Sequence, residues 1–398
     1  MEKDTETNLN GSGAALRSVI GSLFLMASIF VLNFMSRVIF SPLMPTIEDD
    51  LGIGHGEAGS LFLLISTGYF VALMGSGFFS SRFTHRKTIV FSAVALGGAV
   101  FVVSLSSTFL GIRIGLILMG IAAGLYLPSG ISTLTSLVRT QDWGKAIAIH
   151  ELGPGISFLV APLVAEALLK WFSWRYVLVC LGVGCVSLGL AYARFGKGGN
   201  FPGEAPRPET LRILFAEPGF WIMVVLFSMG ISGTLGVYSM LPLYLVTARG
   251  MEGSWANYLV AISRISGLGI AFVSGIATDR WGPKTALAGV FLGTGLITLL
   301  LGVAPGAWLV VMIFLQPLLA TCFFPPGFAA LSRVGPPKVR NIAVSFTVPA
   351  AFLLGGGAVP AGIGLLAENG FFFLGFILVG GLIMTGFVLL HFLKFSDE

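Results

Sequence analysis

Charge is what this sequence has least of. Lysine, arginine, aspartate and glutamate together make up 10% of the 398 residues, whereas 55% are hydrophobic. A soluble protein carries roughly a quarter charged residues, because they keep its surface solvated. The composition therefore excludes an ordinary water-soluble domain and predicts a chain surrounded by lipid.

Cysteine and histidine are also scarce. The three cysteines, Cys180, Cys185 and Cys322, lie in apolar runs, and the four histidines are scattered singly. Neither spacing suits a disulfide framework or a metal centre. The sequence also lacks a nucleotide-binding loop and a Ser/His/Asp set. We therefore expect no cofactor, no metal and no enzymatic activity.

Apolar stretches of about twenty residues recur along the chain, the length a helix needs to cross ~30 Å of hydrocarbon. They predict twelve spans, at 17–46, 56–81, 87–107, 110–137, 144–170, 175–195, 218–247, 256–278, 284–303, 307–332, 342–366 and 370–393. A polar break rich in glycine, proline and charge separates the sixth from the seventh. We thus predict a tail (1–16), a six-helix bundle (17–195), a linker (196–215) and a second six-helix bundle (216–394).

The basic residues predict the orientation. Most of them fall in the tail, the linker and the loops on the same side, such as "SSRFTHRK" and "DRWGPK", while the acidic cluster Glu48, Asp49 and Asp50 falls on the other side. Lysine and arginine accumulate on the cytoplasmic side of membrane proteins. We therefore expect a multi-pass protein of an inner (plasma) membrane with both termini in the cytoplasm. This bias also accounts for the net charge of +5, so we expect no nucleic-acid partner.

The two halves repeat each other at an offset of 198 residues, the difference between Gly77 and Gly275. The same offset pairs Arg82 with Arg280 and Pro162 with Pro360. Coincidences of helix-end and helix-breaking residues at one offset indicate parallel six-helix repeats, with a pseudo-two-fold axis along the membrane normal. In such a design the substrate lies near the middle of the membrane, between the halves.

The loop "GIATDRWGPK" resembles the signature of the major facilitator superfamily, Gly-x-x-x-Asp-Arg-x-Gly-x-Lys/Arg, and "GFFSSRFTHR" keeps its glycine and both basic positions. The stretch around Pro162 resembles the family's fifth-helix Gly/Pro motif. The resemblance implies an all-α polytopic membrane protein with twelve transmembrane helices, and we expect a monomer. It assigns a gating role to Gly77, Arg82, Arg86, Gly275, Asp279, Arg280 and Lys284.

The sequence departs from the family pattern at three places. Ser81 replaces the usual aspartate of the first loop and Thr84 its glycine, so the latch formed by that aspartate must lie elsewhere. Leu116 replaces the usual arginine in the middle of the fourth helix. This puts in doubt the proton-coupling role that the family attaches to that arginine.

Two arginines deep in the spans have neutral repeat mates. Arg37 maps onto Leu235, and Arg264 maps onto Ser66. A charge inside the membrane costs at least ~2.5–3.5 kcal/mol and indicates function by default. Guanidinium groups bind carboxylates through two parallel hydrogen bonds. One arginine from each half would make a two-sided clamp for an anion.

Both arginines also resemble known positions in the superfamily. Asn33-x-x-x-Arg37 is similar to the "NYxDR" first helix of the organic-anion and organophosphate branches, where the arginine binds the substrate's anionic group, although Ser36 replaces the aspartate. Monocarboxylate- and oxalate-type members carry an arginine in the eighth helix, as Arg264 does. The alternatives are that Arg37 snorkels outward or pairs with Glu151, and that Arg264 is satisfied by backbone carbonyls.

A proton carrier must be sought elsewhere, because arginine does not release its proton. Glu151 is the first candidate and His150 the second; adjacent residues point ~100° apart, so both cannot face the cavity squarely. The alternatives are a static ion pair for Glu151 and a buried, hydrogen-bonded His150. Glu166, near the outer end of the fifth helix, is expected to be solvated.

Polar and aromatic groups in the spans can complete the site, although each is more often a packing residue. The candidates are Asn33, Tyr69, Tyr126, Tyr238, Tyr258 and Gln316. We predict substrate contacts for Asn33, Tyr126 and Tyr238. Tyr238 is the strongest of these, because the first and seventh helices line the cavity in the family that the chain resembles.

Three functions follow. The first is a secondary transporter for a small organic anion, a carboxylate, driven by protons or by exchange. The second is a drug or cation exporter of the same fold, which an acidic cavity would favour and two central arginines disfavour. The third is a membrane-embedded sensor or enzyme, for which the sequence carries no supporting motif.

Overall fold

A computed structural model of the chain describes residues 16–205 and 208–395. Within them, twelve helices are long and apolar enough to cross a membrane. Numbered helix 1 to helix 12, they are Leu16–Leu51, His55–Arg82, His85–Leu105, Phe109–Leu137, Thr140–Leu169, Trp174–Phe195, Pro218–Thr247, Gly253–Trp281, Pro283–Val303, Gly306–Leu331, Ile342–Glu368 and Phe372–Phe392. The prediction of an all-α, twelve-span membrane protein is confirmed. Residues 1–15 of the predicted tail lie outside the described ranges.

The repeat is visible in the helix ends. Helices 3 and 9 begin at His85 and Pro283, and helices 6 and 12 begin at Trp174 and Phe372. Both pairs are separated by the 198 residues that relate the loop motifs. The same local signals therefore start corresponding helices in the two halves, and the fold is two six-helix bundles related by a pseudo-two-fold axis.

Several helices are interrupted near their middles. Helix 1 is broken at Ile39 and helix 8 at Arg264, while helices 7 and 11 contain π-helical turns at Ser232–Gly236 and Leu354–Ala358. Such turns are frequent at functional sites, because they disturb the regular ladder of backbone hydrogen bonds. These interruptions bring irregular backbone to the interface between the halves.

Glycine lets helices 7 and 11 meet at their π turns. A β-carbon at Gly236 would lie 2.5 Å from the carbonyl oxygen of Gly355, and one at Gly355 would lie 2.5 Å from the carbonyl oxygen of Ser228. Real β-carbons do not approach backbone that closely, so both positions require glycine. Close approach through small residues is a common way for membrane helices to pack.

The halves are closed on one side of the membrane. We call the side where helix 1 begins the termini side and the opposite side the far side. Toward the far side, the backbone N–H of Gly56 donates to Glu368 at 3.0 Å, and Asn257 donates to Glu166 at 2.6 Å. The first half of helix 8, Gly253–Ser263, packs closely against helix 5, whereas its second half, Ile265–Trp281, makes few contacts with it. The halves therefore meet from mid-membrane to the far side and diverge toward the termini side.

The first part of the linker folds against the amino-terminal bundle. The backbone N–H groups of Arg86 and His85 donate to the carbonyls of Gly199 (2.8 Å) and Phe201 (3.1 Å). Gly203 in turn donates its N–H to the carbonyl of Ser80 at 2.9 Å. The linker then forms a short helix, Pro208–Phe215, so the predicted polar break is ordered in its described parts.

Candidate substrate site

Arg37 is held among aromatic rings rather than by a carboxylate. Its side chain is 6% exposed. The guanidinium carbon lies 4.1 Å from the ring centroid of Tyr69, 4.5 Å from that of Phe34 and 5.3 Å from that of Phe352. Each such contact contributes roughly 0.5–2 kcal/mol. Together they offset much of the cost of placing this charge in the membrane.

Arg264 has a similar environment in the other half. It is also 6% exposed and lies at the break of helix 8, between Ser263 and Ile265. Its guanidinium carbon is 4.7 Å from the Tyr238 ring centroid and 5.0 Å from the Phe158 ring centroid. Among the described residues, no carboxylate is within salt-bridge distance of Arg37 or Arg264.

The two arginine environments are joined across the interface. Phe34 packs edge-to-face on Phe158 at 5.2 Å, and Phe158 packs edge-to-face on Tyr238 at 4.7 Å. Arg37 belongs to the amino-terminal half but touches Phe352 of the other, and Arg264 of the carboxy-terminal half touches Phe158. The rings of Phe34, Tyr69, Phe158, Tyr238 and Phe352 thus form one aromatic cluster with a guanidinium at each end.

Several donors of this cluster are unsatisfied. In the described part of the chain, Arg37 Nε, Arg264 Nε and Nη2 and the Tyr238 hydroxyl are buried without a hydrogen-bond partner. A buried polar group left unpaired costs about 1–3 kcal/mol, and more when charged. Rings cover the faces of a guanidinium, whereas its N–H groups point outward in its plane. The arrangement therefore leaves hydrogen-bond donors available for an acceptor, and a negatively charged one suits them best.

A narrow cavity of about 10 Å³, room for about one water molecule, lies beside Arg37 in this conformation. Its walls come from helices 1, 2, 7 and 11, with Ser66, Tyr69 and Ser239 as hydroxyl-bearing residues beside Phe62 and Phe352. Arg264 does not line it, because the rings of Phe158 and Tyr238 lie against that guanidinium. In this conformation the two arginines share the aromatic cluster but not one cavity.

Two polar residues considered in the sequence lie elsewhere. Asn33 donates its side-chain amide to the Ala123 carbonyl of helix 4 at 3.1 Å. Gln316 donates to the Gly233 carbonyl at 2.6 Å. Both join neighbouring helices of one bundle, and the structure does not bring Asn33 together with Arg37 and Arg264.

Tyr126, His150 and Glu151 form a separate group inside the amino-terminal bundle. The Tyr126 hydroxyl donates to the Met26 carbonyl at 2.7 Å and lies 3.1 Å from His150 Nε2. His150 Nδ1 lies 3.0 Å from Glu151 Oε1. The histidine is fully buried and stacks on Phe30 at 4.3 Å, whereas the Glu151 side chain is 46% exposed. Glu151 therefore pairs with His150 and not with Arg37.

The residues of the loop motif lie on the termini side. Arg86 donates to the carbonyls of Ala193 (3.0 Å) and Tyr192 (3.4 Å) at the end of helix 6. Lys284 lies over the Phe395 ring, with its ammonium 4.7 Å from the centroid. The other members are Gly77 and Arg82 in helix 2 and Gly275, Asp279 and Arg280 in helix 8, and the three charged ones are exposed. Ser81, which replaces the family's aspartate, bonds to the Phe78 carbonyl of its own helix.

The expectation that Glu166 is solvated is wrong. Its residue is only 8% exposed, and its carboxylate accepts a hydrogen bond from Asn257 of helix 8. Sequence reasoning also missed Phe34, Phe158 and Phe352, which contact the arginines. For Phe34 a signal existed: it precedes Arg37 by three residues, so both lie on the same face of helix 1.

Two six-helix bundles around a buried, charged and aromatic centre define a secondary transporter. The chain belongs to the Major Facilitator Superfamily, whose sequence profile matches residues 26–307. This confirms the resemblance seen in the loop motifs, and the chain is a transport protein rather than an enzyme.

Individual relatives are distant. The probable galactarate/D-glucarate transporter GudP of Bacillus subtilis (strain 168) is 21% identical over 359 residues, covering 79% of this chain and 76% of its own. The chloramphenicol resistance protein of Streptomyces lividans is 21% identical over 316 residues, covering 78% and 80%. A bacterial homolog of the human lysosomal transporter Spinster, crystallised in an inward-facing and occupied conformation, has the same fold, with a TM-score of 0.80, 15% identity and coverage of 96% and 97%.

Proposed function

We propose that this protein transports a small organic anion, a carboxylate, by alternating access, and that Arg37 and Arg264 bind the anionic group. The observation that carries the proposal is the set of buried, unpaired N–H groups on these two arginines. A carboxylate can accept both N–H groups of a guanidinium edge in parallel, which a neutral ligand does less strongly.

The lining of the cavity favours an anion with an apolar body. Apart from Arg37 and the two serines, the residues that surround the unfilled space are aromatic, aliphatic or glycine. A polyhydroxylated acid would leave many hydroxyl groups unpaired against such walls, at a cost of about 1–3 kcal/mol each. We therefore expect aryl or branched aliphatic carboxylates to bind more tightly than sugar acids, although GudP bears the name of a sugar-acid transporter.

We further propose that both termini are cytoplasmic in an inner membrane, so that the conformation described is open to the cytoplasm. Glu151 is then the candidate proton carrier, with His150 as the second. The His150 Nδ1 and Glu151 Oε1 atoms are 3.0 Å apart, and the Glu151 side chain is about half exposed. Exchange of one anion for another remains the alternative driving force.

Export of drugs or cations is the second candidate function. It is favoured by the resemblance to the chloramphenicol resistance protein and by the aromatic cluster. A cationic substrate would require an acidic group facing the cavity, and within the described residues the charged group that lines it is Arg37. The anion proposal therefore accounts for more of the site.

The test is uptake of radiolabelled carboxylates into proteoliposomes by purified protein. Arg37→Lys and Arg264→Lys keep the charge but lose the two-pronged hydrogen bond, so each should abolish uptake while the protein stays folded. Arg113→Lys is the matched control, because Arg113 is partly exposed and pairs with Glu57 at 3.3 Å. Normal uptake by both central variants would refute the clamp.

A thermal-shift screen against mono- and dicarboxylates, phosphates, sulfonates and cationic drugs would separate the two candidate functions. Stabilisation by carboxylates that the Arg264→Lys variant loses would support anion binding. Stabilisation by cationic drugs alone would favour the exporter.

A further inference from the structure

Glu166 is a carboxyl group enclosed between the two halves on the far side. Its Oε1 accepts a hydrogen bond from Asn257 Nδ2 at 2.6 Å, and the same amide nitrogen donates to the Pro42 carbonyl at 3.1 Å. Glu166 belongs to helix 5, Pro42 to helix 1 and Asn257 to helix 8. One amide group thus ties helices of both halves together where they are closed.

Among the described residues, no cation lies within salt-bridge distance of Glu166. The basic group nearest along its own helix, Lys170, is exposed at the helix end. On helix 1, the Glu48 carboxylate pairs with His55, with Oε1 and Nδ1 2.9 Å apart. Arg249, after helix 7, donates to the Gly302 carbonyl, and Glu252, before helix 8, accepts from Ser254. Burying a carboxylate without a counter-charge is unfavourable.

The partner of Glu166 is also incompletely bonded. Asn257 is 3% exposed, and its amide oxygen Oδ1 is buried without a hydrogen-bond partner. An ionised carboxylate has only acceptors and cannot satisfy that oxygen, whereas a carboxylic acid has one O–H donor. With a proton on Glu166, the acid and the amide can exchange two hydrogen bonds, Nδ2–H to Oε1 and Oε2–H to Oδ1.

We propose that Glu166 is a proton-binding site of the far-side gate: it holds a proton while the halves are closed there and releases it when they separate. The proposal rests on transport by alternating access, but not on the identity of the substrate. Opening of the far side would expose Glu166 to water, where the charged form is well solvated. Closing it again would require a proton from the far side.

The position of Glu166 complements that of Glu151. Both lie on helix 5. Along the helix axis, Glu166 lies about 12 Å after Phe158 and Glu151 about 11 Å before it. In this conformation the Glu151 side chain is 46% exposed, while the Glu166 residue is 8% exposed. The helix that contacts Arg264 through Phe158 therefore carries one accessible carboxyl on the open side and one enclosed carboxyl on the closed side.

The experiment measures the far-side gate directly and needs no substrate. Spin labels at Trp171→Cys and Trp255→Cys report the separation of helices 5 and 8 in lipid nanodiscs, in the full chain with Cys180, Cys185 and Cys322 replaced by alanine. Both label sites are exposed. Double electron–electron resonance is recorded between about pH 5 and pH 9. The wild type should shift from a short to a long distance as the pH rises.

Glu166→Gln is the decisive variant, because glutamine keeps both hydrogen bonds to Asn257 and has no proton to lose. It should stay at the short distance over the whole pH range. Glu57→Gln, an exposed far-side acid paired with Arg113, should titrate like the wild type. His55→Gln tests the neighbouring His55–Glu48 pair as the source of the response and should also behave like the wild type.

Asn257→Ala provides a second test if the Glu166→Gln variant does not fold. Loss of the amide should move the opening midpoint to lower pH, because the closed state loses both hydrogen bonds. The proposal is overturned if the wild-type distances do not change with pH, if Glu166→Gln opens like the wild type, or if His55→Gln abolishes the response. Failure of the anion proposal appears separately, as the absence of carboxylate uptake.

Discussion

The rings of Phe34 and Phe158 pack edge-to-face with their centroids 5.2 Å apart, and each ring also lies against one of the two buried arginines. Phe34 and Arg37 come from helix 1, Phe158 from helix 5, and Arg264 from helix 8 of the other half. The two rings therefore connect the surroundings of two arginines that belong to different halves of the protein.

Removing the Phe158 ring should lower the thermal stability of the protein without unfolding it. In Phe158→Leu, the aromatic contacts with Phe34 and Tyr238 and the contact with Arg264 are lost, each of which contributes roughly 0.5–1.5 kcal/mol. We expect a lower melting temperature in detergent. Phe172→Leu, at an exposed aromatic position, is the control and should melt like the wild type. Equal melting of all three proteins would contradict a stabilising role for the ring.

The Tyr238 hydroxyl is expected to serve the substrate rather than the fold, because it is buried without a partner. Tyr238→Phe should keep or slightly raise the melting temperature while weakening substrate binding about tenfold, the effect of losing a hydrogen bond to a charged group. Uptake kinetics and thermal unfolding together test this expectation.

Tyr244→Phe is the matched control for that prediction. The Tyr244 hydroxyl donates to the Gly302 carbonyl at 2.9 Å and accepts from Arg249 at 2.7 Å. Its loss should lower the melting temperature and leave the KM unchanged. If Tyr238→Phe and Tyr244→Phe both change only the melting temperature, or both change only the KM, the assigned roles are wrong.

Coupling to protons is predicted to depend on Glu151. Glu151→Gln should remove the dependence of uptake on an imposed pH gradient but preserve exchange of labelled for unlabelled substrate, because the arginines remain. Glu209→Gln, an exposed acid of the linker helix, should retain both activities. A gradient dependence that survives in Glu151→Gln would make this residue structural and direct attention to His150 and to Glu166.

The glycines at the two π turns should not tolerate even alanine. A methyl group at Gly236 or Gly355 would lie 2.5 Å from a backbone carbonyl oxygen of a neighbouring helix. Overpacking of this kind costs about 1–3 kcal/mol, so Gly236→Ala and Gly355→Ala should melt at lower temperature. At Gly289 a methyl group meets nothing within 4 Å, and Gly289→Ala should be neutral or stabilising. Neutral behaviour of all three would show that helices 7 and 11 can move apart freely.

Arg86 and Arg82 occupy the two basic positions of one loop motif but should behave differently. Arg86 donates to two carbonyls at the end of helix 6, whereas Arg82 is exposed at the end of helix 2. Arg86→Ala should therefore cost about 1–3 kcal/mol of stability and Arg82→Ala close to none, as thermal unfolding would measure. The reverse order would point to a structural role for Arg82 in this conformation.

The sequence alone predicted the twelve helices and the repeat because both depend on local properties. Span length follows from the run of apolar residues, and the offset of 198 residues reappears in helix starts such as His85 and Pro283. The depth of Arg37 and Arg264 followed from the same reasoning, since distance along a helix measures distance from its ends. These features require no knowledge of which helices are neighbours.

What surrounds the arginines was decided by tertiary structure. Phe34, Phe158 and Phe352 are three among 34 phenylalanines, and in a chain embedded in lipid an aromatic residue gives no signal of its own. Asn33 lies one turn before Arg37 on helix 1, yet its amide donates to the Ala123 carbonyl of helix 4. Whether a polar side chain faces a cavity or bonds to a neighbouring helix depends on which helices pack beside it.

The depth of Arg37 and Arg264 was thus determined by the sequence by itself, because it depends only on the distance from the ends of an apolar helix. Their charge compensation was decided only by the fold. The packing of the halves placed aromatic rings around both guanidinium groups and enclosed Glu166 against Asn257. These contacts join residues far apart in the chain, and the closing of one bundle on the other creates them.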